Sequence, residues 1–161
     1  MTRPDPDQPV GPSLLDRVMG AQDTPGPPVS QRPDALHRAV QRDLEDLLNS
    51  RRCCVPPPSG LNQLATSVVG YGLADFAGAD VSGDAGRRAV AADVEATIKR
   101  FEPRLTRVRV SLQPSEADQP RTLPLRIEAT LLATPAREPV AFASVLDAIS
   151  HTFRVRSGAD G

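Results

Sequence analysis

The sequence predicts an α+β fold, with N-terminal helices packed on a C-terminal antiparallel β-sheet and a largely disordered N-terminal arm. Three observations predict it. Apolar residues recur at helical spacing as far as Phe101, the apolar period drops to two after Pro103, and eight of the 17 prolines fall within residues 1–33. A chain of 161 residues fits one domain. The expected division is a flexible arm over 1–33, a single domain over 34–156 and a disordered tail over 157–161.

Proline at the density of the arm removes amide donors and opposes regular helix. One piece differs: "SLLDRVMG", residues 13–20, where Ser13 can cap a helical turn and Leu14, Leu15, Val18 and Met19 form a compact apolar face. With Asp16 and Arg17 it reads either as a short motif that docks on a partner, the preferred reading, or as a strip folded back on its own domain. The next segment, "DALHRAVQRDLEDLLNSRR", predicts a helix capped by Asp34. Leu36, Val40, Leu44, Leu47 and Leu48 share one face, while Arg38, Arg42, Asp43 and Glu45 fit a solvated one. "PPPSG" at 56–60 ends it. A short helix follows, with Leu61, Leu64, Ala65 and Val68 as its apolar positions, and Gly70 and Gly72 bracket Tyr71 on a tight backbone path.

A third helix is expected from Asp84 to Phe101, capped by Ser82 or Asp84. Val90, Val94, Ile98 and Phe101 make its apolar stripe, and Glu95 and Lys99 form an i, i+4 pair. Pro103 closes it by forcing Glu102 out of helical geometry. Two strands follow, Val108–Leu112 and Leu123–Leu131, alternating apolar and polar as an antiparallel pair buried on one face. Of two readings for the last element, a short helix or a hairpin, the hairpin is preferred, with strands Val140–Leu146 and Phe153–Val155 about a turn near Asp147–Ser150.

Composition excludes several function classes. A net charge of −1 gives no overall field to attract a nucleic acid, and no apolar run is long enough for a membrane helix. The N-terminus lacks the apolar core of a signal peptide, so a cytosolic protein is expected. Cys53 and Cys54 are adjacent, which disfavours a mutual disulfide and offers no metal-ligand spacing, so no metal or cofactor is expected. His37 and His151 sit in no nucleophile motif. The one enzymatic arrangement worth weighing is glycoside hydrolysis with Glu102 as acid and Asp75, Asp80 or Asp84 as second carboxylate. Arg104 argues against it: across an extended Pro103 it lies on the same side as Glu102, where a guanidinium favours the ionised carboxylate. With no Trp and a single Tyr, the chain also lacks an aromatic platform for sugars. Glu102 and Arg104 read better as a structural pair, with Arg104 also able to cap the helix carbonyls.

Four stretches, "SLLDRV" (13–18), "RDLEDLLNSRR" (42–52), "TSVVGYGLADFAG" (66–78) and "FEPRLTRVRV" (101–110), carry a family resemblance by their order and spacing. The chain resembles the TssE family of type VI secretion baseplate subunits, which is related to the lysozyme-like wedge protein of contractile phage tails. The family's Glu-Pro-Arg signature maps onto Glu102, Pro103 and Arg104, and its Asn-Tyr-Gly-Leu-Pro-Asp loop onto the stretch from Gly70 to Asp75, with Ala74 in place of proline. The resemblance implies a non-enzymatic baseplate component at the cytoplasmic face of the inner membrane. Its implied partners are the TssF, TssG and TssK subunits and the TssB–TssC sheath, for which it provides a platform. The implied functional residues are the assembly motif Glu102, Pro103 and Arg104; a docking motif of Ser13, Leu14, Leu15, Asp16, Arg17 and Val18; and a structural loop containing Tyr71, Gly72, Asp75 and Phe76. The rival readings are a peptidoglycan hydrolase using Glu102 and a small regulatory adaptor on a similar fold.

Overall fold

A computed structural model describes residues 33–55, 60–76, 83–114, 122–132 and 137–158. The arm, including the expected docking motif at 13–18, lies outside the described residues. Helices α1 (Pro33–Asn49) and α2 (Asp84–Phe101) precede strands β1 (Leu105–Leu112), β2 (Thr122–Leu132), β3 (Arg137–Asp147) and β4 (Thr152–Ser157). The strands form one antiparallel sheet in the order β1-β2-β3-β4. With α1 against β4 and α2 against β1, the helices cover one face of the sheet and leave the other to solvent. This is the α+β architecture that the change of period predicts.

The five expected apolar residues of α1, from Leu36 to Leu48, are all buried. Full burial of such side chains contributes about 1.5–3 kcal/mol each. The helix begins at Pro33 and not after an Asp34 cap. Proline suits the first helical position, where its missing amide costs no hydrogen bond and its φ is already helical. His37 stacks on Phe142 with centroids 4.8 Å apart, so it is a packing residue. At the far end of α1 the Asn49 carboxamide clamps the outer edge of β4, donating to the Phe153 carbonyl (3.0 Å) and accepting the Phe153 amide (2.8 Å). Gln41 donates to the Val155 carbonyl on the same edge.

The stretch after α1 departs from the expected short helix. It forms two 3₁₀ turns, Asn62–Thr66 and Val68–Gly70, and leaves Leu61 and Val68 exposed. The sequence spacing there fits one helical turn, but Ser67 is extended (φ −93°, ψ 179°) and breaks it. In α2, Val90, Val94 and Ile98 are buried as expected. Gly83 occupies the cap without a side-chain hydrogen bond and Asp84 stands in the first turn, so Asp84 is not the cap; Ser82 lies outside the described residues.

Glu95 pairs with Lys99 at 2.5 Å and also accepts the Val110 amide at 2.9 Å, tying α2 to the outer edge of β1. The Lys99 hydrogen bond, then the Val110 one, holds the Glu95 carboxyl below its ordinary 4.5. A carboxylate depressed on folding contributes stability that is complete above its unfolded pKa and lost as pH falls through the folded value. Glu95→Gln is therefore expected to destabilise the protein at neutral pH and to shrink that difference as pH drops below 4.5. Urea titrations across this range measure it, and two parallel curves would refute the tie.

Strand β1 starts at Leu105, three residues before the expected Val108, and carries a bulge between Thr106 and Arg109. Arg107 takes the left-handed conformation (φ +54°) and absorbs the extra residue, which lets both Leu105 and Val108 face the core. Strict alternation places those two on opposite faces. β2 alternates as predicted. β3 and β4 form the preferred hairpin, each longer than expected, and the Asp147 carboxylate accepts the amides of Ile149 and Ser150 to set the turn. β4 runs to Ser157, and the Gly158 amide donates to the Ala141 carbonyl, so the sheet continues past residue 156.

Candidate functional site

Helix α2 stops at Phe101, and Glu102 leaves helical geometry at φ −113°, ψ 83°, as a residue before proline must. Three residues then turn the chain into β1. At this corner the Glu102 carboxylate is almost wholly buried (5% exposed) and accepts from Arg104 in fork geometry, Nε to Oε1 at 2.7 Å and Nη2 to Oε2 at 2.5 Å. The Arg104 amide adds a third bond to Oε1 at 3.2 Å. Planar guanidinium matches carboxylate in this way, and lysine cannot.

Arg104 does not cap the carbonyls of α2. Its Nη2 reaches instead to Asp43 Oδ2 of α1 at 2.5 Å, across 61 residues of chain. The Arg104 carbonyl meanwhile accepts the Leu132 amide at the end of β2. Burial opposes the guanidinium charge, but the hydrogen bonds and charges of Glu102, then of Asp43, outweigh it and raise the Arg104 pKa. One arginine thus joins α1, the α2–β1 corner and β2. Asp43 does not belong to a purely solvated face. It follows Leu36 by seven residues and precedes Leu47 by four, a spacing that sets it on the apolar stripe, and that was its signal in the sequence.

Beside the corner lies an open cleft of about 350 Å³ lined by Asp43, Leu47, Tyr71, Phe101, Pro103 and the ion pair. Tyr71 meets Phe101 edge to face, with centroids 5.3 Å apart. Burial, then the charges of Asp46, Asp43 and Glu102, raises the Tyr71 pKa. The loop that carries Tyr71 is fixed from below. The Leu73 amide donates to the Ser50 carbonyl (3.0 Å), the Arg52 amide donates to the Leu73 carbonyl (2.8 Å), and Gly72 lies against Ser50 with φ +98°. Asp93 of α2 accepts the Ala74 amide at 3.1 Å and faces Arg52 at 3.4 Å, a clip the sequence reading missed because a lone aspartate on a helix carries no pattern.

The structure brings Tyr71 to the Glu102–Arg104 corner but sends its loop neighbours elsewhere. Phe76 packs against the main core. Asp75 lines a separate cleft of about 540 Å³ with Arg100 and the exposed, unbridged Cys53 and Cys54. Asp84 stands at the opposite end of α2 from Glu102, roughly 25 Å away for a helix of this length, beyond the separations of about 5–9.5 Å found in glycosidases. Asp80 lies outside the described residues. Among the described residues, no group of three or more His, Cys, Asp or Glu is placed to hold a metal.

A comparison with protein families matches residues 34–136 to the model described as baseplate wedge protein gp25. That span runs from α1 through the corner to the end of β2. No curated protein and no solved structure matches the chain.

Proposed function

The chain belongs to the baseplate wedge protein gp25 family, a structural component of baseplates, and on that premise we propose that it is the TssE-like wedge subunit of a type VI secretion baseplate. In this reading it joins TssF, TssG and TssK at the cytoplasmic face of the inner membrane and gives the TssB–TssC sheath a surface on which to polymerise. No described helix is long and apolar enough to cross a membrane, in keeping with recruitment through protein contacts.

The observation that carries the proposal is the three-way tie of Arg104 to Glu102 and Asp43. It spends the motif's charges on holding two helices and the sheet in one arrangement, which is what a platform requires. Both Glu102 oxygens are occupied by a guanidinium, whereas a general acid must carry a proton toward a substrate. A sheath strand can add to an edge of the sheet by main-chain hydrogen bonds. On β4 the amide and carbonyl of Phe153 and the Val155 carbonyl are taken by α1, whereas on β1 α2 takes the Val110 amide through Glu95. β1 therefore keeps more of its edge open and is favoured as the acceptor.

Glu102→Ala and Arg104→Ala are each expected to abolish assembled sheaths, counted as fluorescent sheath structures in cells. Normal sheath numbers in both variants would overturn the assembly role. Purified murein tests the enzymatic rival: clearing by the native protein, lost in Glu102→Gln, would replace this proposal with a hydrolase.

A further inference from the structure

The face of the sheet turned away from the helices carries a charge pattern that only strand register creates. Arg126 on β2 pairs across Ala143 on β3 with Arg156 on β4, and the next row sets Pro124, Val145 and Arg154 side by side. In the row on the other side Arg109, Glu128 and Ala141 align. Residues paired this way share a face. These three rows present four arginines against Glu128, while the next row of the same face brings Asp147 beside Arg154.

The arginines are not evenly spread. Ala143 and Val145 form a short lane of small side chains along β3, with Arg126 on one side and Arg154 and Arg156 on the other. The lane ends at Ala141, which is buried and whose carbonyl accepts the Gly158 amide. Glu128 is occupied by Arg126 at 2.9 Å. Arg154 and Arg156 are exposed, and neither has a carboxylate within salt-bridge distance among the described residues, although the charge of Arg154 acts on Asp147. They are alternate residues of one strand, so their Cα atoms stand roughly 6.6 Å apart, and the walls of the lane stand roughly 10 Å apart, two strand spacings. Val145, 37% exposed, gives the floor an apolar point.

We propose that this lane docks an acidic extended segment of a partner protein, a surface distinct from the Glu102–Arg104 corner and independent of the function proposed above. An extended chain with carboxylates at every second residue repeats at the spacing of Arg154 and Arg156, and each guanidinium can take a carboxylate by two bonds. The small side chains of β3 let that backbone approach the sheet. A duplex nucleic acid fits less well: the patch is short and interrupted by Glu128, and the chain's net charge does not steer a polyanion.

The test measures binding of a fluorescently labelled peptide of alternating Glu and Ser to the full-length chain at low salt. Arg154→Glu with Arg156→Glu is expected to weaken binding by about tenfold or more. Ala143→Phe, which fills the lane without changing charge, is expected to weaken it as well. All three positions are exposed, and unchanged far-UV circular dichroism checks that the variants fold. Unchanged peptide affinity in the double arginine variant overturns the proposal. So does unchanged affinity in Ala143→Phe, which would leave charge without a docking lane. Tighter binding of a short DNA duplex or of phosphatidylglycerol vesicles through the same arginines overturns it in favour of those partners.

Discussion

Arg104→Ala is expected to destabilise the protein by about 3–5 kcal/mol, because it leaves the Glu102 carboxylate buried with no cation. Glu102 is 5% exposed, and the water that would solvate its charge has no easy route to it. At an m-value of about 2 kcal/mol/M the urea midpoint falls by about 2 M. Asp43→Ala should cost less, about 1 kcal/mol, since Asp43 is about a quarter exposed and Arg104 keeps its fork on Glu102. Arg104→Lys is expected to fall between wild type and Arg104→Ala, because one ammonium cannot serve both Glu102 oxygens and Asp43 in plane. The ordering of these variants is the test. If Arg104→Ala unfolds within about 1 kcal/mol of wild type, the corner relaxes into solvent and is not the joint described above.

Gly72→Ala is the second change with a large expected effect, about 2–4 kcal/mol of destabilisation. Two costs coincide there. Gly72 has φ +98°, a conformation that disfavours any β-carbon, and an added Cβ would stand 2.5 Å from the Ser50 carbonyl oxygen and 2.7 Å from its carbon. That carbonyl accepts the Leu73 amide, so relief of the clash pulls apart the attachment of the loop to the end of α1. Gly60 supplies the control. It has the same φ, but nothing lies within 4 Å of its would-be Cβ, so Gly60→Ala should cost only the backbone term, about 1 kcal/mol. The chain has one tyrosine and no tryptophan, so tyrosine fluorescence reports directly on Tyr71 and its contact with Phe101. Equal stability losses in the two alanine variants, with unchanged fluorescence, would show that the close approach at Ser50 is unimportant.

The elements that read correctly from the sequence are those whose pattern is local. Leu36 to Leu48 announce α1 because a helix repeats every 3.6 residues, whatever it packs against. Pro103 announces the end of α2 because its ring constrains Glu102 directly. Leu123 to Leu131 announce β2 because one face is buried and the other is not. The misreadings arise where a distant group overrides a local preference. Leu61 and Val68 fit a helical turn, yet the chain there is held by Gly70 packed on the Ala65 carbonyl and by Gly72 packed on Ser50. Arg104 has donors enough to cap the helix it follows, but two carboxylates in fork and bridge geometry outcompete neutral carbonyls.

Taken alone, the sequence determined the order and kind of the main elements, the break at Pro103 and the likeness to a baseplate wedge family, since all of these rest on neighbours within a few residues or on the residues themselves. The pairing of Glu102 with Arg104 was also within its reach, because two residues and one proline fix their relative direction. Tertiary structure decided the rest. Only the packing of α1 against the corner brings Asp43 to Arg104, and only strand register lines up Arg126, Ala143 and Arg156 on one face. The bulge at Arg107 belongs here too, for it exists to turn Leu105 and Val108 into the same core. Each of these joins residues far apart in the chain, and such contacts form because the sheet and helices bury one shared apolar interior, a requirement of the whole molecule that no short window of residues carries.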